Sequence, residues 1–541
     1  MRPRTFVEAL RASASSSPER GFRFLKEGEG AGEPLSYAAL DRRARALATL
    51  LRERGAAGER VLLPLAAGLD FVVALFGCFY SGALAVPLPA PEAARPEPGI
   101  QALERVARDC GARFSFLPLP GLEWIDVAAA DSARAEAWTP PELAEDARAL
   151  IQYTSGSTSE PKGVVVLHSN LIANALAIQQ VFGVDRDSRG VCWLPPYHDM
   201  GLMAGLLEPV LLGADTLLMP PQAFLQRPLR WLQAISDTRA TTCGGPDFAY
   251  ELVTRRVPEA AKASLDLKSW SVAFCGAEPL RPATFDAFVA AFSGCGFRRE
   301  AFLPCYGLAE ATLMVSGARA GATPTLLRLE PAEGERARTL VGCGRPAPGV
   351  SVSVVDPVSH APLREGEVGE IWVKGPGVAA GYWNDAEASR AAFGALRADG
   401  AGPYLRTGDL GLLKGGEVFS TARLKDLIIV RGRNLYPQDV EATLERAHEA
   451  VRPGRTAAFP ASVAGHEQLI VACEIKRRAS QSPAQIADAL KAAVAAEHGV
   501  LPHAAVLLPP GALPRTSSGK PRRPICRALF EAGRLEAASG V

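Results

Sequence analysis

At 541 residues, with 48% hydrophobic and 22% charged side chains, the chain is too long for one hydrophobic core, so several packed units are expected. A formal charge of +1 excludes the broad basic field of a protein that binds nucleic acid or an anionic membrane. The ten cysteines form no C-x-x-C pair and no regular spacing, which argues against a zinc site or disulfide frame and for reduced core thiols of a cytoplasmic protein.

The opening MRPRTFVEALRA has basic residues but no apolar run, and Glu8 interrupts it, so no signal peptide is expected. Ser36 is placed to cap a helix with apolar positions Leu40, Leu47, Leu50 and Leu51, and residues 61–65 follow as a strand. Residues 71–90 carry no charge, about the length of a membrane-spanning helix. Ser81-Gly82, Pro87 and Pro89 divide the run, so a buried helix (70–80), a turn and a buried strand (83–88) fit better, and no membrane span is expected. Apolar runs and helical patterns keep alternating through 100–109, 113–116, 170–182, 191–194 and 271–275, the pattern of an α/β protein with layered, largely parallel sheets. Residues 350–373 are strand-rich and suggest a β subdomain over about 340–424. A charged link at 423–426 then leads into a buried strand, a Gly/Asn turn and a helix beginning near Pro437. The boundary is placed at Lys425, giving a large domain over 1–424 and a small α+β domain over 425–541. The Pro-rich stretch 87–98 and the Glu/Arg/Gly-rich stretch 317–338 read as surface insertions.

The strongest chemical signal is Tyr153-Thr154-Ser155-Gly156-Ser157-Thr158-Ser159-Glu160-Pro161-Lys162-Gly163, followed by a valine-rich strand. Small residues let backbone N–H groups approach phosphate oxygens, hydroxyls donate to them, and Lys162 supplies charge. A Walker A loop is excluded, because proline precedes the lysine, glycine follows it, and a strand stands where a helix should. Alone the loop indicates phosphate binding without naming the reaction. Other segments have bland readings of their own: Tyr306 as a core aromatic, Glu310 as a helix cap, Asp409 as a turn former, Lys520 as an exposed residue. The basic residues around Lys520 (Arg515, Arg522, Arg523, Arg527) read as a solvated face around one functional lysine.

In combination and in order, these segments resemble the adenylate-forming superfamily. The resemblance covers essentially the whole chain. It implies that Thr154, Ser155, Gly156, Ser157, Thr158 and Lys162 hold the phosphates of ATP. Gly276, Ala277 and Glu278, from CGAEP, would flank the adenine. Tyr306, Gly307, Leu308 and Ala309, from YGLAE, would pack on it, with Tyr306 stacking. Glu310, together with Thr158, is implied for Mg2+. Asp409, in YLRTGD, would accept from the ribose hydroxyls and share that contact with Arg423. Lys425 matches the hinge position, and Lys520, in PRTSSGK, matches the catalytic lysine.

Within the superfamily, Ser159-Glu160, WLPPYHDMGL (193–202), PDFAY (246–250) and NLYPQD (434–439) resemble the fatty acyl-AMP ligases. That branch implies a fatty acid substrate and an acceptor thiol on the phosphopantetheine arm of a holo acyl carrier protein. No Asp-Ser-Leu carrier signature occurs in the chain, so the carrier is expected in trans, to a monomeric enzyme. His198 is expected where the carboxylate meets the tunnel mouth, and Met200, Gly201, Phe248 and Tyr250 are expected to line the acyl tunnel, although core packing explains Met200, Phe248 and Tyr250 nearly as well. An insertion at about 317–339, relative to coenzyme A ligases, is shorter than is usual in this branch, which keeps coenzyme A open as the alternative acceptor. Ala422 stands where the family has glycine; alanine there costs on the order of 1 kcal/mol if the backbone needs φ > 0 and is nearly silent otherwise.

Overall fold

A computed structural model describes residues 2–94, 96–144, 146–154, 162–329, 338–430, 433–463, 466–477, 481–516 and 519–535. The uncharged run of the sequence folds as helix Leu69–Ser81, a turn and strand Leu84–Pro87. The helix is apolar on every side, and every residue except Asp70 is buried, as a helix without a polar face requires. Gly82 ends it in the left-handed conformation at φ 77°, the usual device for closing a helix. Ser36 caps helix Tyr37–Glu53, its hydroxyl accepting from the Ala39 N–H at 3.2 Å. Among the described residues no helix is long and apolar enough to cross a membrane.

Two large sheets carry the first part of the chain. One has seven strands, in the order Gly381–Tyr382, Lys162–Leu167, Arg148–Thr154, Leu84–Pro87, Arg60–Leu63, Phe114–Ser115 and Glu123–Trp124. The other has nine, with Phe302–Gly307, Val272–Cys275, Thr242–Gly245 and Arg189–Cys192 adjacent and parallel near its middle. The edges are antiparallel, as where Met314–Gly317 pairs with Phe302–Gly307. Helical crossovers cover the parallel centres, which is why those strands are buried runs rather than alternating ones. The β subdomain is a four-stranded antiparallel sheet of Ser351–Val355, Gly369–Lys374, Leu405–Lys414 and Glu417–Arg423. Past it, three strands (Val451–Val463, His466–Ile475, Ala504–Leu508) pack with helices Pro437–Ala447, Pro483–His498 and Arg523–Glu531.

Among the described residues, the buried apolar clusters divide into those built from residues up to Phe419 and those built from Ile428 onward. Between them lies a short 3-10 turn, Leu424–Asp426, that buries no side chain. Two expected surface insertions are partly regular structure. Helix Pro96–Cys110 begins inside the Pro-rich stretch, since the first turn of a helix tolerates proline. The stretch 317–338 begins at the end of strand Met314–Gly317, which Arg345–Pro346 covers as the edge strand, and ends in a hairpin of Leu326–Leu329 with Arg338–Val341, whose intervening residues lie outside those described. Ala422 sits in a strand opposite Leu410 and is absent from the positive-φ positions, so alanine costs nothing there.

Candidate active site

The phosphate-loop signature joins two antiparallel strands in which Thr154 is opposite Lys162. The loop residues Ser155, Gly156, Ser157 and Thr158 lie outside the described residues. Lys162 therefore stands at the mouth of the hairpin, its ammonium 5.0 Å from the centroid of the Tyr382 ring. Tyr382 comes from the short strand that pairs with Lys162–Leu167, and its hydroxyl donates to Glu310 Oε1 at 3.0 Å.

The other named segments gather at the carboxyl ends of two neighbouring parallel strands, where open α/β sheets form their clefts. Strand Val272–Cys275 runs into Gly276, where a Cβ would lie 2.7 Å from the Cys305 carbonyl oxygen, so glycine alone permits the close approach. Ala277 follows at φ 70°, a left-handed conformation that is uncommon for alanine. The Glu278 carboxylate accepts from the Phe248 N–H at 2.7 Å. Strand Phe302–Gly307 delivers Tyr306, whose hydroxyl donates to Asp409 Oδ2 at 2.8 Å. At Gly307 a Cβ would be driven into the Leu313 carbonyl, across a bulge in the pairing with Met314–Gly317. Leu308 and Ala309 lead into the 3-10 turn Ala309–Ala311, which carries Glu310.

Asp409 and Arg423 are opposite each other on paired strands of the β subdomain, with Arg423 Nε 3.1 Å from Asp409 Oδ1. The Asp409 charge, more than anything else nearby, holds the Arg423 guanidinium in its charged form. Lys520 arrives from the far side of the 3-10 turn that contains Lys425. Its backbone N–H donates to Thr516 Oγ1 at 3.0 Å, and the Thr516 N–H returns a bond to the Lys520 carbonyl at 2.8 Å. The Lys520 ammonium donates to the Ala277 carbonyl. Its side chain keeps solvent contact, yet protein crowded around the ammonium lowers its pKa, an effect that the Glu278 charge opposes. Burial, with help from Asp247, pushes the Glu278 carboxyl up to about 7, and Lys520 pulls it down. Burial and then the Lys520 charge lower His198 to about 4, so its ring is neutral at physiological pH.

Residues 10–383 match the AMP-binding enzyme family. The chain belongs to that family. Residues 425–539 match the AMP domain of Disco-interacting protein 2-like proteins. This AMP-binding enzyme is 40% identical to the medium-chain-fatty-acid–[acyl-carrier-protein] ligase JamA of Moorena producens, over 98% of this chain and 96% of that protein. It is 34% identical to a long-chain-fatty-acid–AMP ligase of Mycobacterium tuberculosis, over 94% of this chain and 92% of the other. A fatty acyl-adenylate ligase from L. pneumophila, solved with acyl adenylate and pyrophosphate, superposes with a TM-score of 0.77 at 38% identity, covering 98% of this chain and 96% of that one. A structure from a study of such ligases from E. coli and L. pneumophila reaches 0.87 at 34% identity, covering 98% of both chains.

Of the four residues expected to line an acyl tunnel in this AMP-binding enzyme, Gly201 borders an apolar cleft among the described residues. Phe24, Leu194, Pro196, Leu206 and Met219 are among the walls of that cleft. Met200 is buried in the large core. Tyr250 is a core residue: it is fully buried against Trp231, Trp270 and Phe302, and its hydroxyl donates to the Phe274 carbonyl at 2.8 Å. Phe248, two residues earlier on helix Asp247–Arg256, points elsewhere and lies edge-on to Trp193 at 6.2 Å. The helix that carries Met200 and Gly201 continues through a π turn, Met203–Leu207, a feature that often marks functional sites.

Three polar residues of the site were not named from the sequence. Asp199 lies in the field of Lys520, Glu310 and Arg423, with burial raising its carboxyl pKa. Its place beside His198 was the available signal. Gln152 donates from Nε2 to the Tyr197 carbonyl at 2.7 Å, tying the strand before the phosphate loop to the loop that holds His198. Tyr382 had no local signal at all.

Proposed function

We propose that this enzyme activates a fatty acid as fatty acyl-AMP at the expense of ATP, releasing pyrophosphate, and passes the acyl group to the phosphopantetheine thiol of an acyl carrier protein supplied in trans. The observation that carries the reading is the Lys520 ammonium, which reaches across from beyond Lys425 to the Ala277 carbonyl, beside Glu278 and within the field of Asp199, Asp409 and Arg423. The named relatives, a fatty-acid–[acyl-carrier-protein] ligase and a fatty-acid–AMP ligase, support the same substrate and acceptor.

The chemical problem is the approach of a carboxylate to the α-phosphate, two anions that repel. In this reading Lys520 stands between them and stabilises charge as pyrophosphate leaves, a role that needs placement rather than covalent participation. The neutral His198 sits beside it without adding a second cation. Asp409 accepts from the ribose hydroxyls and Arg423 holds Asp409 in register. Gly276, Ala277 and Tyr306 form the adenine slot. Thr154, Lys162 and the hydroxyls between them take the phosphates. Gly201, which borders a small apolar cleft, marks the side of the site on which the alkyl chain enters.

Glu310 fits a magnesium ion bound with the nucleotide. It offers carboxylate oxygens on the turn beside Tyr382, and one carboxylate with the substrate's phosphates is a usual donor set for that ion. When bound, the ion neutralises phosphate charge. Lys425, exposed in a turn that buries nothing, is the hinge through which Lys520 withdraws so that the pantetheine arm can enter; the enzyme works as a monomer.

The test is to incubate the enzyme with ATP, magnesium and a fatty acid panel, with holo-carrier protein or coenzyme A as acceptor. AMP and pyrophosphate are the expected nucleotide products, and ADP would overturn adenylation. Efficient thioester formation on coenzyme A would overturn the carrier assignment and leave adenylation standing.

A further inference from the structure

Glu310 stands on a 3-10 turn of three residues, too short to aim a side chain by itself. One distant segment holds it at both ends. The Tyr382 hydroxyl donates to Glu310 Oε1 at 3.0 Å, and the Ala379 N–H donates to the Glu310 backbone carbonyl at 2.9 Å. The same segment is stitched to the strand that leaves the phosphate loop: Tyr382 is opposite Val164, and the Trp383 N–H donates to the Gly163 carbonyl at 2.7 Å. The face of the Tyr382 ring lies 5.0 Å from the Lys162 ammonium, within cation–π range. A single side chain therefore touches both the carboxylate and the lysine.

Tyr382 is itself well fixed. Its backbone N–H donates to Ser389 Oγ at 2.9 Å, and its ring meets Phe393 edge-on at 5.2 Å. Its hydroxyl is the donor to Glu310. A carboxylate only accepts, so the direction of this hydrogen bond is unambiguous. Among the described residues the bond is made to Oε1, and none is made to Oε2.

We propose that Tyr382 is a positioning residue for adenylation: its hydroxyl aims the Glu310 carboxylate for the metal on the ATP phosphates, and its ring face holds Lys162 at the mouth of the phosphate loop. The proposal rests on Glu310 as the metal carboxylate. A tyrosine that only filled space would make neither polar contact; here one segment sets the spacing between an anionic metal ligand and a cationic phosphate ligand before substrate arrives.

The test separates the two halves of the side chain. Tyr382→Phe keeps the ring, its Phe393 contact and its face toward Lys162, and removes only the hydroxyl. ATP binding is measured by calorimetry without fatty acid, once with Mn2+ as the metal probe and once in EDTA. Expected is a loss of about 10-fold or more in affinity for the manganese nucleotide, the usual size for removal of a group that orients a metal ligand. Affinity in EDTA and the melting temperature stay at wild-type values. Glu310→Gln should show the same metal-dependent loss, and adding Tyr382→Phe to it should cost nothing further. Tyr382→Leu should also weaken ATP binding in EDTA, because Lys162 loses the ring.

Wild-type manganese-nucleotide affinity in Tyr382→Phe, with loss in Glu310→Gln, overturns the positioning role alone. Equal losses with and without metal, or additive losses in the double variant, overturn it too. Unchanged metal-dependent binding in Glu310→Gln overturns the metal reading on which the proposal stands. Equal EDTA affinities for the Leu and Phe variants overturn the Lys162 half.

Discussion

The Lys520 ammonium donates to the carbonyl of Ala277, a residue 243 positions away that is held at φ 70°. The two lie on opposite sides of the turn at Lys425, so the contact joins the chain that follows that turn to the chain that precedes it. Strain at a non-glycine residue persists where the surroundings over-determine it, and such positions cluster at functional sites.

Lys520→Ala is expected to cut the rate of fatty acyl-AMP formation by about 100-fold or more, the range for losing one preorganised charge or donor. Thioester formation from supplied acyl-AMP should stay close to wild type, because Lys520 has then withdrawn. Pyrophosphate exchange and single-turnover thioester assays measure the two steps, and equal loss in both would falsify this division.

Lys425→Pro restricts the backbone of a turn that buries no side chain, so its folding cost should be small while its cost to motion is large. The expected outcome is thioester formation impaired more than adenylation. Equal impairment of both steps would remove Lys425 from the hinge.

Arg338, on the hairpin before the β subdomain, reaches the small domain. Its Nε is 2.8 Å from Asp439 Oδ2, and its guanidinium lies 3.7 Å over the Tyr436 ring. The pair is partly shielded from water, with side-chain exposures of 18% and 37%, so the latch is worth only about 1 kcal/mol. Arg338→Ala should slow adenylation by about 5-fold and raise protease cutting near residue 425, with raised salt mimicking part of the effect. Unchanged cutting and unchanged rate would show that the contact holds nothing in place.

Glu278 titrates at about 7 in the folded enzyme against an ordinary 4.5, because of burial first and Asp247 second. The folded state thus binds the proton more tightly than the unfolded chain, and stability falls as pH rises from about 4.5 to about 7. Glu278→Gln keeps an acceptor for the Phe248 N–H but cannot ionise. Its melting temperature relative to wild type should therefore climb across that window and level off above it. A difference that is flat with pH would exclude Glu278 as the titrating group.

Gly201→Ala would push a Cβ into the Pro195 carbonyl, a backbone atom that cannot step aside. A destabilisation of about 1–3 kcal/mol is expected by chemical denaturation, together with displacement of the turn that carries His198. Wild-type stability would mean that the turn is looser than the packing implies.

The sequence alone determined several elements whose signal is local. The uncharged run at 71–90 with its internal Ser-Gly and two prolines specified helix, turn and strand, because no polar face was available to solvate. The loop with Lys162 and the strand-end segments at 276–278 and 306–310 were legible because small residues at a strand end have a chemical purpose apart from packing. Tertiary structure decided which side chains converge. Phe248 and Tyr250 look equivalent in a string, but two residues apart on a helix they face different ways, and Tyr250 went to the aromatic core. Tyr382 and Glu310 are 72 residues apart and meet because an edge strand pairs beside the phosphate loop. Lys520 could be named from its motif, but its approach to Ala277 depends on how two separately cored units dock. Periodicity specifies an element and its buried face; register between strands and the docking of units arise from packing summed over the whole chain, which no local pattern encodes.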